Sequence, residues 1–142
     1  MVTPLSRSKV QKRQTWNSES VFSSSKQFDA EVKKLIEDLT PIKKFQGHLG
    51  DSADTFLNAM QAIEALSQRA SKVQVYATMS SAVDTSDQKG AAISGKAMSA
   101  LAQTGAATSF IDPELLTIGE AALRQWVSDD LRMKKFESYF ND

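Results

Sequence analysis

The chain has no cysteine, one histidine, three prolines and six glycines in 142 residues, and its 17 basic and 17 acidic side chains cancel. Without cysteine there is no disulfide, thiolate zinc site, iron–sulfur cluster or cysteine nucleophile. A lone histidine, His48, excludes any site built from several imidazoles of this chain. Zero net charge removes the general attraction to phosphate backbones, so no nucleic-acid partner is expected. No apolar run approaches the roughly 20 residues of a membrane span, and no apolar core follows the N-terminus as in a secretory signal. No membrane partner is expected either, and the chain reads as cytoplasmic. What remains is 41% hydrophobic, too much for a disordered chain. The length suits about one domain, burying roughly two-thirds of its unfolded surface.

Residues 1–15 read as a basic extended arm, with Arg7, Lys9, Lys12 and Arg13 and no acid. A transit segment or a phosphate-binding arm would look similar. However, Val2, Leu5 and Val10 are its only sizeable aliphatics beyond Met1, so it lacks an amphipathic stripe and a plain polar arm is favoured.

The rest is periodic. A helix is predicted from Ser24 or Ser25, where a hydroxyl can cap free amides. Phe28, Val32, Leu35, Ile36, Leu39, Ile42 and Phe45 recur by threes and fours, which makes one buried stripe. Pro41 should kink or end that helix near Thr40. The segment Gly47-His48-Leu49-Gly50 reads as a turn with a left-handed glycine. Ser52 should cap a second helix, with Asp51 and Asp54 at its positive end and a stripe of Phe56, Leu57, Met60, Ile63, Leu66, Val73, Tyr76, Met79 and Val83. A break at 84–87 precedes a third helix, from about Ser86 to Phe110, poor in large side chains. There Ala91, Gly95, Ser99 and Ala102 should let a neighbouring helix approach closely. Asp112-Pro113-Glu114 then predicts a restart, with Asp112 as the cap and Pro113 at the first helical position. Ala122, Leu123, Trp126 and Val127 mark another short helix, and Leu131, Phe136, Tyr139 and Phe140 a last one. No alternating strand pattern and no internal repeat is visible. The fold class is all-α: long antiparallel helices in a bundle followed by short C-terminal helices. The bundle covers 16–110, and 111–142 reads as the start of a following helical unit, expected to be truncated.

The search for chemistry finds none. A zinc peptidase motif, H-E-x-x-H, needs a second histidine that the chain lacks. His48 reads as a surface or capping residue. Gly90, Gly95 and Gly105 lie too far apart for a phosphate loop. Asp129 and Asp130 fit helix caps better than an acid–base pair. Phe22, Phe28, Phe45, Phe56 and Tyr76 have core spacing and not that of a stacking platform. No catalytic, cofactor-binding or metal residue is assigned.

The order of certain residues goes further. Thr15-Trp16 and Phe22 follow the basic leader, and Phe45-Gln-Gly-His-Leu49 runs into Ser52-Ala53. Val75-Tyr76-Ala77, Asp84-Thr85, then Ala107-Thr-Ser-Phe-Ile-Asp-Pro-Glu-Leu-Leu116 come next in order. This resembles the N-terminal region of oligoendopeptidase F, within the thimet-oligopeptidase-like zinc metallopeptidases, from about Arg13 to the end. Phe136-Glu-Ser-Tyr139-Phe140 resembles the family's aromatic pair, though the family more often has a basic residue and a histidine between the aromatics.

The resemblance implies a helical channel wall that encloses short peptide substrates and limits their size. It implies zinc and H-E-x-x-H in a C-terminal catalytic domain of the same polypeptide, which would be this region's partner. It implies no cofactor in this chain, which alone should be inactive. The isolated chain is expected to self-associate through Trp126, Phe136 and Phe140, left exposed. The alternative is a stand-alone helical protein-interaction module. A membrane-surface amphipathic protein fits less well, because no basic apolar face is evident.

Overall fold

A computed structural model describes residues 9–82 and 86–140. Val2, Leu5, Arg7, Val83, Asp84 and Thr85 lie outside the described residues. Among those described there is no strand, and the elements are α1 (Ser25–Glu37), α2 (Leu39–Lys43), α3 (Ala53–Ser81), α4 (Gln88–Thr108), α5 (Ile111–Ile118) and α6 (Glu120–Asp129). Short 3-10 turns (Lys12–Gln14 and Ser18–Ser20) precede them, and a 3-10 helix (Leu131–Phe140) follows. The all-α reading holds.

Local chemistry explains most boundaries. At the start of α1, the Gln27 amide donates to Ser24 Oγ (3.3 Å) and the Ser23 amide to Gln27 Oε1 (3.0 Å). Two amides without helical acceptors are thereby satisfied. The helix stops at Glu37, with a one-residue turn at Asp38, before Pro41 is reached. The reason is that a proline ring collides with the carbonyl four residues earlier, here that of Glu37, and leaves it without a donor. The interruption therefore falls upstream of Thr40. Ser52 Oγ accepts from the Thr55 amide (3.0 Å) and so caps α3 as expected.

The described residues form two compact units that do not follow chain order: 9–37 with 68–82 and 86–102, and 38–67 with 103–140. In the first unit, Phe28 is fully buried and stacks on Tyr76 at 5.1 Å between centroids, with Phe22 edge-on to Tyr76 at 5.3 Å. Arg69 bridges to Glu31, and Lys96 to Asp29 at 2.7 Å. The pairs 28 with 76 and 31 with 69 run in opposite senses, so α1 lies antiparallel to this half of α3.

The alanine-rich α4 departs from the expected face. Ala91, Gly95, Ser99 and Ala102 are not the buried positions, whereas Gly90, Ala97 and Ala100 are. Small residues occupy nearly every face of this helix, so their spacing cannot say which one is covered. At Gly90 the approach is close: a Cβ there would lie 2.8 Å from the Ser80 carbonyl oxygen.

In the second unit, Phe56 is fully buried and has Trp126 at 5.8 Å and Phe136 edge-on at 6.3 Å. Two expectations are corrected here. Phe136 is only 3% exposed and is not left open, and Trp126 is half-buried. Leu131 is 83% exposed, and Met133 takes the buried place instead. In a 3-10 helix, residues three apart eclipse, so Met133 and Phe136 share a side that Leu131 does not. Gly119, at φ +82° and ψ 150°, separates α5 from α6 in a backbone state that side chains oppose.

Candidate functional site

The chemically richest part of the second unit is the 44–52 loop and the face that α5 and α6 turn toward it. Gly47 adopts φ +83°, which allows the His48 amide to reach the Phe45 carbonyl at 2.9 Å. His48 Nδ1 lies 2.8 Å from Asp51 Oδ2, and both side chains are largely exposed. His48 is thus a surface residue bonded within its own turn. Leu49, by contrast, is fully buried and anchors the loop in the core.

Glu114 ties this loop to α5. One carboxylate oxygen accepts the Gly47 amide, and the other accepts the Leu49 amide at 3.1 Å. Both amides would otherwise lack a helical acceptor, and a charged acceptor makes each bond stronger than a neutral one. The sequence pattern assigns Glu114 to the helix dipole and Asp112 to the cap. Instead, α5 begins at Ile111 with Phe110 as its flanking residue and without a side-chain cap, and Pro113 is its third residue. A proline is tolerated there because the first four helical amides have no partner within the helix in any case.

The wall thus built borders a groove of about 440 Å³. Ile118, Ala122 and Trp126 give it an apolar floor, and Asp51 and Glu114 stand among its lining residues without a lysine or arginine. Gly50 passes close beneath α5, since a Cβ on it would sit 3.2 Å from Ile118 Cγ1.

A second polar cluster closes the 3-10 helix onto α3. Asp130 Oδ1 accepts the Arg132 amide (2.9 Å), and Arg132 Nη2 reaches both Asp130 Oδ2 (2.6 Å) and Asp54 Oδ1 (2.8 Å). The Arg132 side-chain bond, then its backbone bond, hold the Asp130 carboxyl below its ordinary value. Asp130 caps a helix, as its position suggested. Asp129 instead accepts from Gln125 Nε2 at 2.9 Å.

Among the described residues, no group of three or more histidine, cysteine, aspartate or glutamate side chains could hold a metal ion. The one imidazole, His48, is bonded to Asp51. No described helix is long and apolar enough to cross a membrane.

Comparison with known proteins gives the wider setting. No protein-family model matches this chain. The plasmid oligoendopeptidase F of Lactococcus lactis subsp. cremoris is 26% identical over 135 residues, which cover 94% of this chain and 22% of that protein. The chain is homologous to oligoendopeptidase F. The group B oligopeptidase PepB of Streptococcus agalactiae serotype III (strain NEM316) is 30% identical, with 94% of this chain and 22% of its own length aligned. Oligopeptidase PepF of Bacillus subtilis (strain 168) is 29% identical, with 92% and 19% aligned. The chain therefore spans about a fifth of the length of the curated relatives it matches, and what it shares with them is an N-terminal portion. No solved structure matches it.

Proposed function

We propose that this chain is the N-terminal, substrate-enclosing part of a cytoplasmic zinc metalloendopeptidase of the oligoendopeptidase F kind. The carrying observation is the alignment of 94% of its residues with a fifth of peptidases named for acting on oligopeptides. Its helices serve as wall, and the zinc with its H-E-x-x-H ligands belongs to a catalytic domain elsewhere in the same polypeptide. Short peptides are the substrates, and the catalytic domain is the partner. Two features support a walling role. α1 and α3 bury continuous apolar stripes, and Glu114 and Asp130 are occupied with holding backbone amides and arginine.

The test is an immunoblot of source cells with an antibody against this chain. A band several times heavier than 15.6 kDa is expected. A band at 15.6 kDa would refute the reading and leave a self-contained helical interaction module. The purified chain should also fail to hydrolyse a quenched fluorescent peptide with or without added zinc.

A further inference from the structure

We propose that the groove between the 44–52 loop and α5–α6 is a subsite for an arginine side chain of a peptide. This rests on the peptide-handling reading above and names the kind of peptide it favours. The groove combines three features that suit one side chain. Its floor of Ile118, Ala122 and Trp126 is apolar, as the three-methylene stem of arginine requires. An indole among the lining residues attracts a guanidinium through its ring quadrupole, and tryptophan is the strongest of the aromatic partners. The charged residues of the lining, Asp51 and Glu114, are both anionic, so the field opposes an acidic side chain and favours a cation.

The volume of about 440 Å³ lies within the range of small-ligand clefts and exceeds what one side chain fills, leaving room for adjoining peptide backbone. The walls are also held in place. Glu114 fixes the amides of Gly47 and Leu49, buried Leu49 anchors the loop, and Gly50 lies against Ile118. A groove shaped before the ligand arrives loses little freedom on binding. Glu114 lines the groove while its two oxygens accept the Gly47 and Leu49 amides, so one side chain serves both the field and the wall. His48 Nδ1 meets one oxygen of Asp51, and the largely exposed position of that side chain leaves its other oxygen open to a second donor.

The test uses the whole 142-residue chain carrying Trp16→Phe, so that Trp126 is the only tryptophan. Its emission is titrated with acetyl-Ala-Leu-Arg-Leu-Ala-amide and with two versions that replace arginine by citrulline or glutamate. Citrulline keeps the shape and removes the charge. A saturable change with the arginine peptide is expected, at least about fivefold tighter than with citrulline and weakening with salt. Asp51→Asn should reduce the preference, and Ala122→Phe, which fills the floor, should abolish binding while the helical circular dichroism stays unchanged. Equal binding of all three peptides, or no saturable response at millimolar peptide, overturns the proposal. The immunoblot is independent of this result. A heavy band with no arginine preference removes the subsite and keeps the peptidase reading, whereas a 15.6 kDa band with the preference intact keeps the subsite and removes the peptidase.

Discussion

Three glycines of α4 differ in what surrounds them, and replacing each by alanine separates helix propensity from steric approach. In an unobstructed helix, Gly→Ala stabilises by about 0.5–1 kcal/mol, because alanine has less backbone freedom to lose. Gly95 and Gly105 have nothing within 4 Å of where an alanine Cβ would sit, so each variant should gain that full amount. Gly90 differs. Its Cβ would lie 2.8 Å from the Ser80 carbonyl oxygen and 3.3 Å from Ser81 Cα, and both are backbone atoms that cannot rotate aside. Moving a packed backbone costs about 1–3 kcal/mol, and the central value of about 2 kcal/mol outweighs the propensity gain and leaves a net loss of about 1–1.5 kcal/mol. Thermal unfolding followed by far-ultraviolet circular dichroism reads the difference, at about 4 °C per kcal/mol for a domain of this size. Gly95→Ala and Gly105→Ala should melt about 2–4 °C above the parent, and Gly90→Ala about 4–6 °C below it. If Gly90→Ala melted at or above the parent, the close approach of α4 to the end of α3 would be refuted.

Phe56→Ala removes the ring shared by Trp126 and Phe136 in a fully buried position, and should cost about 3–5 kcal/mol in urea unfolding. Glu114→Ala leaves the Gly47 and Leu49 amides without their acceptor, and should cost about 1–3 kcal/mol. Amide exchange should quicken at those two positions before it does elsewhere in the unit, and unchanged protection there would refute the clamp. Asp130 titrates below its ordinary value of 3.8 because of Arg132, so its contribution is complete above that value and is lost as pH falls through the lowered folded-state value. The stability gap between the parent and Asp130→Asn should therefore be constant from about pH 5 to 7 and close only in more acidic solution. A gap that widened on acidification would contradict the assigned direction.

Much of the helical framework was legible in the sequence because its causes are local. A cap such as Ser24 or Ser52 acts on an amide three residues away, and a stripe such as Phe56 to Tyr76 repeats with the pitch of one helix. Gly47 was likewise readable, since its positive φ belongs to one turn. The order of residues also carried the likeness to oligoendopeptidase F that 94% of the chain bears out. The candidate groove was not readable in this way. Its wall depends on Glu114 meeting amides 65 and 67 residues earlier, and nothing near Glu114 in the chain encodes that meeting.

By itself, then, the sequence determined the all-α class, the Gly47 turn, the Ser24 and Ser52 caps and the absence of cysteine or multi-histidine chemistry. Tertiary structure decided which face of α4 is buried, because alanine, glycine and serine differ too little in hydrophobicity for a pattern to stand out. It also decided that Phe136 and Met133 are covered while Leu131 is not, because the last segment winds with about three residues per turn and not 3.6. Periodicity is a property of one helix, whereas burial requires a second surface that only the folded chain supplies.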